Sequence, residues 1–443
     1  MMRYILLFLF IIMLASRTLG LDLSLAPGLS VKNAILYMTG VLLFIESAVA
    51  RNRQIELLPI LIPFGLLVLY ATLTWLAIIL VLNYPHYDPF EALIALKGKL
   101  VDHFLILLIF FYGVVTFKDA FWLLKALIWV IIAGNVLTVV DALNIPDLGI
   151  ITHRKDGRVE GLLGGANEFG AFLTFFLPAT VALYWAELGM RRRLAMFGVL
   201  TTILALILSV SRGAFVGTLV GGAAATFYLR HYISSRIIAR SASAILIFLI
   251  IAVAALTATN FEDLINTRLS AGLDTGDQDT ISSGRTSIWL GALREMLRFP
   301  WTFLTGFGWD AYYQSGEYRL ATHSTYIDYL YNIGSIGLIL FIITVHNSVA
   351  IARRAIAGAT IEVRLHLLGF VFGMAGLVIA MVFNNLELPA LYAWAFAGVA
   401  LRLAIISMAT EAGDLRRTSA SYPRVVQTRK SIGGESQRGQ FAR

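Results

Sequence analysis

The 443-residue chain contains no cysteine. That excludes a thiolate nucleophile, disulfide support for any loop and a cysteine-ligated metal. Charge is also scarce: Asp, Glu, Lys and Arg make up 14% of the residues and hydrophobic ones 58%, whereas a soluble domain is roughly 25% charged. The chain is therefore read as a polytopic membrane protein. No H-x-x-x-H or H-E-x-x-H pair suggests zinc, and Asp274, Asp277 and Asp279 miss the D-x-D-x-D-G spacing and closing Glu of a calcium loop. Gly334-Ser335-Ile336-Gly337 does not supply the G-x-S-x-G of a serine hydrolase. No metal or other cofactor is implied, and nothing points to nucleic acid.

What is present is a succession of apolar runs. A membrane span needs roughly 20 mostly apolar residues, and about twelve runs approach this: 4–16, 33–50, 57–82, 100–116, 121–140, 167–186, 194–210, 214–229, 242–258, 325–345, 365–382 and 391–407. The expected fold is thus all-α and polytopic, with a larger outer loop over 259–325 that carries a short amphipathic helix. Short cytoplasmic loops are enriched in Lys and Arg. Placing the amino terminus inside puts Arg51, Arg53, Lys118, Lys125, Arg191 to Arg193, Arg230, Arg236, Arg240, Arg353, Arg354 and Arg364 in the cytoplasm. Residues 1–20 could pass for a secretory signal, but the many later spans favour a retained anchor. Two regions are expected: a transmembrane domain over 1–408 and a basic cytoplasmic tail over 409–443. From Glu411 the tail has seven Lys or Arg against three acids. Its Ser, Gly and Gln content suggests disorder, as a solvated tail that enforces topology or touches anionic lipid.

The outer segment has five Arg against eight acids, so its arginines are not orientation signals. Ile288, Trp289, Ala292, Leu293, Met296 and Leu297 recur at helical spacing, Ser282 or Ser283 can cap the start and Pro300 ends the run. Such a helix fits the outer leaflet surface or the ends of the spans. Around it stand Ser283-Gly284-Arg285, Gly306-Phe307-Gly308-Trp309 and His323.

Cations at the outer face need a reason beyond folding. Arg212, in Ser209-Val210-Ser211-Arg212-Gly213 at the outer end of a hairpin, could simply snorkel to the interface. With Arg285 it can grip a diphosphate bidentately without a metal. Arg158, ahead of Asn167, is either a third anion contact or a loop-building residue. His323 opens the run 321–330 at a helix start. An unperturbed imidazole titrates near pH ~6.5 and can take a proton from an attacking hydroxyl; alone, it could equally be satisfied by tyrosine hydroxyls. Gly334 and Gly337 would let this helix pack closely on a neighbour.

The set Ser283-Gly284-Arg285, Ile288-Trp289, Pro300, Gly306-Phe307-Gly308, His323-Ser324 and Gly334-x-x-Gly337 resembles the O-antigen ligase and Wzy-type polysaccharide polymerase superfamily. Ser211-Arg212-Gly213-Ala214-Phe215 is similar to its arginine motif, and Arg158 through Asn167 to a weaker upstream element. The resemblance covers 158–337. It implies a metal-independent membrane glycosyltransferase of the bacterial inner membrane, with its active site facing the periplasm. The donor partner would be an undecaprenyl-diphosphate-linked glycan, and the acceptor a lipid A core or another glycan. His323 would match the catalytic histidine, and Arg285 and Arg212 the diphosphate-binding arginines. The alternative class is a polysaccharide-precursor transporter or flippase, which would favour internal repeats and mid-membrane charge. Neither is clear here, because the charges gather at one face.

Overall fold

The computed structural model describes residues 1–16, 24–49, 59–143, 158–236, 284–314, 321–385 and 387–421, with a few isolated positions between 239 and 250. Most of the expected span at 242–258, the acidic stretch 274–279, Arg51, Arg53, Ser282, Ser283 and the tail beyond 421 lie outside the described residues.

Helix dominates because apolar side chains in lipid leave the backbone no other way to pair its polar groups. The helices are α1 (Met2–Ala15), α2 (Val31–Val49), α3 (Leu61–Ala77), α4 (Pro89–Leu96), α5 (Asp102–Tyr112), α6 (Phe117–Ala142), α7 (Ala166–Ala186) and α8 (Gly189–Ser209). After them come α9 (Arg212–Val216), α10 (Gly222–Leu229), α11 (Arg285–Arg298), α12 (Thr302–Thr305), α13 (Ala311–Gln314), α14 (Thr325–Gly358), α15 (Ile361–Ala380) and α16 (Glu387–Ser421). A small antiparallel hairpin, Ser24–Ala26 with Leu29–Ser30, is the exception to the all-α expectation.

Seven helical stretches among the described residues are long and apolar enough to cross a membrane: Leu61–Leu82, Phe117–Ala142, Ala166–Ala186, Gly189–Ser209, Thr325–Gly358, Ile361–Ala380 and Pro389–Thr410. The structure thus supports a polytopic helical protein but not the expected count of twelve. The runs at 4–16 and 100–116 form helices of 14 and 11 residues. The run at 214–229 is helical throughout and includes a π-turn over Gly217–Gly221. Helix α16 continues past position 408.

Local chemistry sets several helix starts. Asp88 caps α4 by accepting from the backbone N–H of Phe90 and Glu91, with Pro89 in the first turn. Thr116 caps α6 through the Asp119 N–H. In the interior, glycine brings backbones together. A Cβ at Gly373 would lie 2.2 Å from the Phe175 carbonyl, and one at Gly369 would lie 2.9 Å from that of Pro178, so α15 rides directly on α7. The continuous α9–α10 stretch packs on α15 in the same way, with Gly217 and Gly221 against Gly376. Buried phenylalanines 172, 175, 176, 370 and 396 fill the core between α7, α15 and α16.

Gly334 differs from expectation. It interrupts α14 at φ 62°, ψ −171°, and its close approach is to the short α12 and the turn after it. A Cβ there would lie 2.3 Å from the Leu304 carbonyl oxygen and 2.5 Å from the Gly306 nitrogen. The break lets Phe307 N–H donate to the Tyr331 carbonyl and Gly308 N–H to that of Asn332, both at 2.8 Å. The Gly306-Phe307-Gly308 motif is therefore a backbone dock onto a kinked helix. A Gly334→Ala variant combines this clash with a backbone region that costs side-chain-bearing residues about 1–3 kcal/mol. It is expected to lower the thermal unfolding midpoint of the purified protein by several degrees, and an unchanged midpoint would refute the dock.

Candidate functional site

The four residues singled out by sequence sit at one end of the helical assembly. The β-bridged segment beginning at Arg158 is tied there by the Val159 N–H, which donates to the Leu208 carbonyl at 3.2 Å, close to the end of α8. The buried Arg158 donates from Nη1 to Asn167 Oδ1 at 3.3 Å, in the first turn of α7. A Cβ at Gly170, one turn on, would meet Ser211 Cβ at 2.7 Å, so the start of α7 abuts Ser211-Arg212. Arg212 is the first residue of α9, and Arg285 the first of α11. Val210, two residues ahead of Arg212, is left-handed at φ 45° and turns the chain from α8 into α9.

Arg285 is half-buried. Burial, followed by the like charges of Arg212 and Arg158, pushes its pKa below the ordinary guanidinium range. Arg285 therefore lies close enough to Arg212 and Arg158 to sense the charge of both. An arginine keeps its charge in spite of such pressure, so all three guanidinium groups stay cationic at this corner. Two of the three guanidinium groups also spring from helix starts, where unpaired N–H groups and the helix dipole favour anions.

His323 is joined to this group through two elements. It is exposed and left-handed at φ 50°, and it directly precedes Ser324, whose hydroxyl accepts from the Ile327 N–H to cap α14. Trp289 Nε1 of α11 donates to the Thr322 carbonyl at 2.7 Å, fastening the helix that begins with Arg285 to the residue before His323. On the other side, the Thr325 N–H and hydroxyl donate to the Asn384 carbonyl. A Cβ at Gly213 would meet Asn384 Nδ2 at 3.0 Å. The turn after α15 therefore touches both the Arg212-Gly213 corner and the His323 loop.

Helix α11 corrects two sequence expectations. Gly284, at φ 76°, is its N-cap residue, with no side-chain cap. Its inward face is Ile288, Ala292 and Met296, packed with Phe307, Tyr312 and Tyr331 on the end of α14, whereas Leu297 points outward at 65% exposure. Of the two placements compatible with the sequence, the helix takes the one against the span ends. Leu290, Leu297, Phe299, Trp301 and Leu304 remain exposed.

The opposite end of the assembly gathers the basic residues expected in the cytoplasm. Lys125 pairs with Glu187 just after α7, Phe121 lies edge-on to His366, and the Arg353 guanidinium stacks 4.4 Å from the Tyr228 ring centroid. Two chemically different ends are thus separated by the length of the spans.

A second polar cluster behind His323 was missed in the sequence. Lys99 Nζ lies 3.3 Å from Asp310 Oδ1 and 3.1 Å from Glu387 Oε1, and 4.4 Å from the Tyr313 ring centroid. Burial works to lower the Lys99 pKa, but the carboxylates of Glu387, Asp328 and Asp310 outweigh it, and the net direction is upward. Asn385 donates to the Tyr313 hydroxyl, and Thr322 Oγ1 donates to Asn385 Oδ1 at 2.9 Å. A signal for the lysine existed: in the topology above, Lys99 faces outward, against the bias that puts lysines inside.

The fold and this site define a helical membrane protein with a basic, histidine-bearing corner at one end of its spans. Residues 197–342 match the O-antigen ligase family model, which is the family that the motifs resemble. Arg212, Arg285 and His323 fall inside the matched stretch, and Arg158 falls outside it. No curated protein matches the chain.

Proposed function

We propose that the protein transfers a glycan from an undecaprenyl-diphosphate carrier to an acceptor hydroxyl, at the periplasmic face of the bacterial inner membrane. The acceptor belongs to a lipid A core or to another repeat unit. The observation that carries this reading is the group of Arg158, Arg212 and Arg285, tethered through Trp289 and the Asn384 turn to the loop bearing His323.

The chemistry follows from that pairing of cations and imidazole. In its neutral form His323 takes the proton of the acceptor hydroxyl as the oxygen attacks the anomeric carbon. The bond from that carbon to the phosphate oxygen breaks, and its electron pair leaves with the diphosphate. Negative charge grows on the departing group, and in this reading Arg212 and Arg285 meet it there; fixed cations at such a place lower the barrier without reorganisation. Arg158, itself held by Asn167, adds charge to the group. Its contact with the ligand is the least direct of the three.

Transfer by a neutral imidazole also fixes the sign of the pH dependence. Protonation of the base removes activity, so turnover is expected to decline toward acid pH, while the arginine group keeps its charge throughout.

A deletion strain tests the class of reaction. Single repeat units on the carrier indicate a lost polymerase, and full-length chains left on the carrier indicate a lost ligase. Either outcome supports transfer. Repeats trapped on the cytoplasmic side of the membrane would overturn it in favour of a flippase.

A further inference from the structure

The cluster around Lys99 makes no contact with the arginine group in any interaction described above, yet it reaches the residue before His323. We infer that Lys99 and Asn385 are positioning residues that hold the His323 loop in its working conformation, an inference that rests on the proposed role of His323 as base.

The geometry gives three independent reasons. First, His323 needs to be held: its left-handed backbone is a conformation that costs a non-glycine residue on the order of 1–3 kcal/mol unless its surroundings enforce it. Asp310, bonded to Lys99, is left-handed as well, at φ 62°. Second, the enforcing contacts form an unbroken path. Lys99 fixes Asp310, Glu387 and the Tyr313 ring, Tyr313 accepts from Asn385, and Asn385 accepts from Thr322 Oγ1. Thr322 is fully buried and immediately precedes His323. Third, the path holds the Thr322 hydroxyl while Trp289 holds its carbonyl, so one residue ties the loop to both the cationic corner and the acidic one.

Other roles for the cluster fit less well. The cavity beside it, lined by Lys99, His103, Asp328, Asn385 and Glu387, has a volume near 30 Å³. That is room for water, not for a sugar ring. Among the described residues, no group of three or more acidic or histidine side chains is arranged to hold a metal ion. A partly buried lysine paired with Asp310 and Glu387, and near the Asp328 carboxylate, is instead a rigid fastener for the loop beside them.

The test uses Lys99→Met and Asn385→Ala in the full-length protein. Asn385→Ala cuts the path at Thr322 and leaves the Lys99 ion pairs in place, so it remains informative even if Lys99→Met folds poorly. Displacing a reacting group by about 1 Å can cost 10²-fold in rate. Polysaccharide formed per unit of membrane-inserted protein is expected to fall about 10- to 100-fold in both variants. Affinity for undecaprenyl diphosphate, read on the arginine side, should stay within about twofold of wild type. Hydrogen exchange of the peptide covering 321–326 should accelerate, while that of 285–298 should not.

Wild-type turnover in Asn385→Ala, or loss of diphosphate affinity in step with turnover, would overturn the inference. A His323→Ala control separates the two levels. If His323→Ala is inactive and Asn385→Ala is fully active, only the positioning role fails. If His323→Ala is active, the reading of His323 as base fails first.

Discussion

His323→Ala is expected to insert in the membrane, retain affinity for undecaprenyl diphosphate and form no detectable polysaccharide. The residue is exposed at the start of α14 and contributes nothing to the phenylalanine core between α7, α15 and α16. Histidine tolerates the left-handed region better than alanine, but the difference is a local cost at one exposed position. Fold and donor binding should therefore survive. What disappears is the group that accepts the proton of the attacking hydroxyl, and such a loss typically costs about 10²- to 10⁴-fold. Complementation of a deletion strain, with immunodetection of the inserted protein, measures it. Normal polysaccharide from the variant would remove His323 from the mechanism.

Arg285→Lys is the second large effect. Lysine preserves the unit of charge but replaces a planar fork of donors with a compact ammonium, which cannot reproduce the fork's parallel, pre-aligned pair of hydrogen bonds to two phosphate oxygens. The position is also half-buried and pressed by Arg212 and Arg158. Unlike arginine, an ammonium in such surroundings can shed its proton, so the substitution stands to lose charge as well as shape. Turnover is expected to fall by about 10²-fold or more, with weaker binding of undecaprenyl diphosphate. Because α11 is anchored elsewhere, by Trp289 on Thr322 and by Ala292 and Met296 in the aromatic cluster, the helix should remain in place. Unchanged turnover would demote the diphosphate clamp.

Much of this was legible in the sequence because a membrane simplifies the reading. Scarce charge and long apolar runs define the class, and charges that remain at one face are conspicuous. The three arginines and His323 stood out for that reason, and the structure brings them to one end of the assembly. The number of spans was less legible. Hydropathy does not show the π-turn at Gly217–Gly221 inside the run at 214–229, where the helix packs against Gly376. Gly334 was noticed but misread, since a glycine pair at helical spacing suggests packing, whereas the positive φ that breaks α14 becomes apparent only when Leu304 and Gly306 are seen against it. The Lys99 cluster was illegible as a unit. Lys99, Asp310, Asp328 and Glu387 are scattered over almost 300 positions of the chain, and only the fold collects them.

The most direct measurement is an experimental structure of the full-length protein with undecaprenyl diphosphate bound. The account predicts phosphate oxygens within hydrogen-bonding distance, about 3 Å, of the Arg212 and Arg285 guanidinium groups, with the terminal phosphate facing the His323 imidazole across a gap that one sugar residue fills. Phosphates seated at the end of the spans marked by Lys125 and Glu187, or a His323 side chain turned away from them, would contradict it.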